Sequence, residues 1–216
     1  MKALFILFIV VAGYSAAAQN PFVWSNEGLT EDERALAYIA MKEPPKDISA
    51  GEWLGQKDRL LRRITTKSPP VPNLAQRLIA IAGETDCERV TREYIMQYLQ
   101  LNLREKVSAS EQRAIGDFLK QTAFDVKNKS AGTAMLVMKS DPKASSSDIE
   151  NAATALLLSD KAEDQNRIVA LQLLKETNPA LAQDLAARSM ASNPLSGFER
   201  VLPRVISGNP CKGCEP

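Results

Sequence analysis

The sequence predicts an all-α protein, and three features of it carry that expectation. Ser or Thr recurs three residues ahead of Glu at the head of segment after segment, the pattern of a capping box. Apolar residues behind those heads fall at intervals of three and four. No segment beyond the first residues sustains an alternation of period two bounded by turn signals. Alanine and leucine supply much of the apolar surface, a composition that favours packed helices. The expected architecture is about eight to ten helices in antiparallel hairpins.

Residues 1–18 come first. Lys2, an apolar run of about a dozen residues and then Ala16-Ala17-Ala18 have the three parts of a secretory signal peptide, with cleavage expected after Ala18. The run is shorter than the about 20 apolar residues that cross a bilayer. The alternatives are an uncleaved anchor or a buried helix. A leader of this kind sends the mature chain of about 198 residues out of the cytoplasm, to the periplasm or the exterior. No later stretch is apolar enough to span a membrane.

Residues 19–48 read as an N-terminal cap segment with one helix, opened by the Thr30/Glu33 box. Glu31, Asp32 and Glu33 lie in its first turn, where negative charge complements the helix macrodipole. Glu43-Pro44-Pro45-Lys46-Asp47 ends it, because proline lacks an amide donor and biases its predecessor out of the helical basin. Ser49/Glu52 opens the second helix, whose buried side is expected to hold Leu54, Leu60, Leu61 and Ile64. Ser68-Pro69-Pro70-Val71-Pro72 closes it. A third helix covers residues 73–82, and Thr85/Glu88 opens a fourth over residues 85–103. On that fourth helix Cys87, Val90, Tyr94, Tyr98 and Leu101 form the expected apolar stripe, opposite Glu88, Arg89, Arg92, Glu93 and Gln97. Ser108/Glu111 opens the next, and a break follows at Asp141-Pro142-Lys143-Ala144-Ser145-Ser146-Ser147. Ser147/Glu150, Asp160 and Asn178-Pro179 mark three more starts. Between the last two, residues 164–177 bury Ile168, Leu171 and Leu174 with Val169, Ala170 and Leu173. Residues 192–216 form a tail interrupted by Pro194, Pro203 and Pro210.

Residues 49–191 read as one domain with a loose internal repeat. The segments 73–82, 111–119 and 148–157 each follow one helix and precede another, at a spacing of about 37 residues, within the range of solenoid repeats. Glu163-Asp164-Gln165-Asn166-Arg167-Ile168-Val169-Ala170-Leu171-Gln172-Leu173-Leu174 carries an Arg-x-x-Ala-Leu-x-x-Leu core. Asp86-Cys87-Glu88-Arg89-Val90-Thr91-Arg92-Glu93-Tyr94 follows it less closely, with Tyr94 and Ile95 in place of the small-then-leucine pair. The unit around Ala131-Gly132-Thr133-Ala134-Met135-Leu136 lacks the arginine. The core resembles the first helix of HEAT-type repeats, through degenerate motifs over residues 49–190. That resemblance implies a short α-solenoid that binds an extended partner along the face lined by its second helices. The alternative is an irregular helical bundle.

Charge and residue usage restrict function. The chain has no histidine, which excludes histidine triads, histidine general bases, HExxH zinc sites and CxxCH haem attachment. Its three cysteines are too few for a four-cysteine zinc site, and no cofactor motif or glycine-rich phosphate loop is present. Setting Lys2 aside leaves 26 basic against 26 acidic residues, so bulk charge does not point to nucleic acid. Lys57, Arg59, Arg62, Arg63 and Lys67 make a basic run broken by Asp58, either a patch for an anion or acidic partner or an ordinary solvated helix face. Cys211-Lys212-Gly213-Cys214 offers a small disulfide in an oxidising compartment, or a bridge to Cys87 or to another chain. A thioredoxin-like role needs the first cysteine at a helix N-terminus, and too little chain follows for that helix. Cys87 on an apolar stripe reads as a buried thiol. The expected function is an exported scaffold or partner-binding module, with a protein partner in the envelope or outside the cell. The alternative is an envelope enzyme or thiol-redox factor using the CxxC or a carboxylate pair.

Overall fold

The structure, a computed structural model, describes residues 28–192. The leader expected at 1–18 and the CxxC tail lie outside the described residues. Nine α-helices and no strand occur among the described residues, as an all-α fold requires. In chain order they are α1 (Glu31–Ile39), α2 (Ala50–Thr66), α3 (Leu74–Gly83), α4 (Arg89–Tyr98), α5 (Ala109–Phe124), α6 (Ala131–Lys139), α7 (Ser146–Leu158), α8 (Asp164–Thr177) and α9 (Pro179–Ser192). The chain divides into two compact units, 1–115 and 116–216, with the boundary inside α5.

In the first unit two of the four expected boxes form in full, and at a third Ser49 Oγ accepts the Glu52 amide at 3.2 Å. Thr30 Oγ1 accepts the Glu33 amide while the Glu33 carboxylate takes the Thr30 amide at 2.8 Å. Those bonds to Thr30 hold the Glu33 carboxyl below the usual glutamate range. Ser108 and Glu111 exchange the same pair of bonds at the head of α5. At α4 the expected Thr85 cap is replaced by Glu88, whose carboxylate accepts the Val90 and Thr91 amides at 2.9 and 2.8 Å. A carboxylate that reaches two amides satisfies more orphan donors than one hydroxyl, so the helix begins later.

α2 packs against α1 and α4, and α3 against α4. Its buried stripe is Trp53, Lys57, Leu61, Ile64 and Thr65, whereas Leu54 and Leu60 sit at its margins. α4 buries Thr91, Ile95 and Met96 and continues into a five-residue π turn (Leu99–Leu103) that buries Leu99 and Leu103. The expected stripe of Cys87, Val90, Tyr94, Tyr98 and Leu101 is thus rotated away from the core: the first four are half-buried and Leu101 is 67% exposed. Thr91 is the reason the pattern misleads, since a hydroxyl reads as a solvent residue until a buried donor needs it. Long basic side chains close two helix ends: Arg92 donates to the Ala82 and Glu84 carbonyls, both at 2.8 Å, and Lys106 to the Thr65 carbonyl at 3.2 Å.

In the second unit α8 is the central rod and packs against α6, α7 and α9. It buries Asn166, Ala170, Leu171, Leu173 and Leu174; each fully buried leucine contributes roughly 1.5–3 kcal/mol of apolar transfer. Its span is the one read from the sequence. Two expected starts shift. α7 opens after Ser145, not Ser147, and α8 opens after Glu163, not Asp160. Asn178 does cap α9: its Oδ1 accepts the Leu181 amide at 3.2 Å.

Candidate functional site

α2 is where the sequence places the basic run, and its helical phase sends those residues in different directions. Lys57 lies four residues after Trp53 and four before Leu61, so it shares their inward stripe and is only 1% exposed. Arg59, Arg62 and Arg63 point to solvent, and Lys67 lies partly buried just past the helix end. The run is therefore not one surface patch. Arg63 is paired with Glu31 and Lys67 with Asp32, so the acidic first turn of α1 neutralises that end. Arg62 Nε donates to the Tyr98 hydroxyl at 3.4 Å, and that hydroxyl donates to Asp58 at 2.7 Å. Arg59 alone of the five has no hydrogen bond or ion pair among the described residues. One and two turns before it, Gly55 and Gly51 leave open space where a Cβ would stand. The outer face of α2 thus offers Arg59 and Arg62, with Leu101 exposed on the π turn that packs against α2.

The inward face holds the more unusual chemistry. An ammonium has three N–H donors, and each of the three on Lys57 has a destination. Nζ donates to the Met41 carbonyl at 2.6 Å and to Thr91 Oγ1 at 3.2 Å, and it lies 3.7 Å from the centroid of the Trp53 ring. The Thr91 hydroxyl in turn donates to Glu88 Oε2 at 3.1 Å. A single side chain of α2 so joins the segment after α1 to the first turn of α4. Among the described residues no carboxylate touches the ammonium directly, and burial pulls its pKa down to about 8, partly offset by Cys87 and Glu88. Burial also pushes the neighbouring Cys87 thiol up. Such a lysine exchanges a proton near neutrality but presents no surface to a substrate. Trp53 Nε1 is buried and has no acceptor among the described residues.

The sequence carries the signal for this cluster in the spacing Trp53, Lys57, Leu61, Ile64, a helical stripe with a lysine inside it. Grouping Lys57 with the arginines by charge obscures it. Of the two cysteine sites expected from the sequence, Cys87 is half-buried and in no disulfide among the described residues, and Cys211 and Cys214 fall outside them. Comparison of the chain with protein-family models, with curated proteins and with solved structures finds no match.

Proposed function

We propose that the protein is an exported helical-repeat scaffold that binds a partner through the outer face of α2 and the neighbouring π turn. The observation that carries this reading is Leu101, a leucine 67% exposed on a helical segment that buries the leucines two positions before and after it, Leu99 and Leu103. A large apolar side chain left in water on a segment that packs against α2, the helix that exposes Arg59 and Arg62, has the make-up of a binding anchor with a polar rim. Two further features support the repeat reading. Within each unit the principal helix pairs are neighbours one or two steps apart along the chain, as stacked hairpins require. α8, the segment with the Arg-x-x-Ala-Leu-x-x-Leu core, packs against helices before and after it. The leader supports export to the periplasm or exterior, where a disulfide between Cys211 and Cys214 is stable.

A photo-crosslinking amino acid at position 101, in cells that make the protein, tests this. The expected result is one discrete adduct, lost when Arg59 and Arg62 are both changed to Glu. An adduct pattern no different from that of a probe at the exposed Gln76 contradicts the proposal.

A further inference from the structure

Lys57 and Trp53 each hold half of a hydrogen bond that the other lacks. The charged Lys57 has three donors and no acceptor, so the Trp53 indole N–H beside it finds no partner although the ring face does. A neutral amine has two donors and one lone pair. Two donors are what the Met41 carbonyl and the Thr91 hydroxyl need. The lone pair is what Trp53 Nε1 needs.

We propose that Lys57 and Trp53 form a two-state proton switch in the core of the first unit: with the ammonium, the indole offers its face, and with the amine, the indole tilts and donates its N–H to the lone pair. The proton has a route out of the buried site. It passes from Nζ to Thr91 Oγ1, as the hydroxyl proton passes to Glu88 Oε2, and from that half-exposed carboxylate to water. No bond other than N–H and O–H changes, and one proton leaves the protein for each amine formed. The depressed affinity of Lys57 for its proton places the exchange near pH 8. From α4 and the residues ahead of it, Glu88 and the Cys87 thiol face the ammonium, and from the segment after α1 it meets the uncharged Met41 carbonyl. The Cys87 thiol, which burial pushes up, is the competing titrating group. What the switch alters is a contact one turn apart on the buried stripe of α2: the indole is drawn to Lys57 by charge in one state and by a directed hydrogen bond in the other.

The test follows the indole N–H resonance of Trp53 by heteronuclear NMR in a W24F chain, so that one tryptophan remains, from pH 6.5 to 10. The expected result is a downfield shift of the Trp53 proton with a midpoint near pH 8 while the helical circular dichroism is unchanged. K57R, which keeps its charge and three or more donors, removes the inflection, and C87A keeps it. A flat titration, an inflection that survives K57R, or one lost in C87A overturns the proposal.

Discussion

Each unit places one polar side chain on an apolar helix stripe and uses it to tie two other segments together, but the two ties differ in kind. In the first unit it is the Lys57 ammonium, bound to the Met41 carbonyl and the Thr91 hydroxyl. In the second it is the Asn166 amide of α8, whose Oδ1 accepts the Gly132 amide at 3.0 Å and whose Nδ2 donates to the Asn128 carbonyl at 2.9 Å. Asn166 has no charge, so its cost of burial is removed by hydrogen bonds alone. Geometry is its requirement: α6 must approach so closely that a Cβ on Gly132 would stand 2.9 Å from Asn166 Oδ1. Lys57 reaches its two acceptors at 2.6 and 3.2 Å and carries a charge that burial makes sensitive to pH. One tie is indifferent to protons; the other depends on them.

The sharpest way to break the contrast is N166A. It leaves the buried Gly132 N–H without its acceptor and takes one of two donors from the Asn128 carbonyl, which keeps the Ala131 amide, and we expect a loss of about 3 kcal/mol in urea unfolding, equal at pH 7 and 9. G132A attacks the same tie from the other side. The new methyl meets the Asn166 amide and forces α6 away, with an expected loss of about 2 kcal/mol in the same measurement. K57M sharpens the contrast through pH. Lys57 holds its proton less tightly folded than unfolded, so between about pH 8 and the ordinary lysine range the unfolded chain carries more protons and stability rises with pH. The wild type should therefore gain about 1 kcal/mol on K57M between pH 7 and 9, measured by parallel urea curves in a C87A background. T30A removes one exposed helix cap and should cost about 1 kcal/mol at pH 7. Because Glu33 is held below its usual pKa by Thr30, the contribution of that pair fades as pH falls through the glutamate range. R59A is expected to change stability by less than about 0.5 kcal/mol, since no partner is lost, while weakening the position-101 adduct.

The sequence was a good guide to helices and a poor one to their faces. Caps and proline breaks are local, and so the boxes at Thr30 and Ser108, the Asn178 cap and the connections around Pro44, Pro69 and Pro142 are legible in a few residues. Where a cap has a competitor the local rule fails: Glu88 outbids Thr85 by reaching two amides. Burial is set by neighbours distant in the chain. Tyr94, Tyr98 and Leu101 make as good an apolar stripe as Thr91, Ile95 and Met96, and the choice is decided by the ammonium that Thr91 meets on α2. The π turn adds to the difficulty, because a wider turn shifts every residue after Tyr98 from its α-helical direction. Of the candidate site, the exposed arginines were legible from charge alone, whereas the inward turn of Lys57 required its phase with Trp53 and Leu61.

The buried ammonium is what distinguishes the first unit, and titration of its own nitrogen is the direct probe. With the Lys57 side-chain resonances assigned by their loss in K57R, heteronuclear NMR of the folded protein should show Nζ titrating with a midpoint of about 8, apart from the other lysines. A Lys57 that titrates together with the surface lysines near their ordinary value would contradict the account.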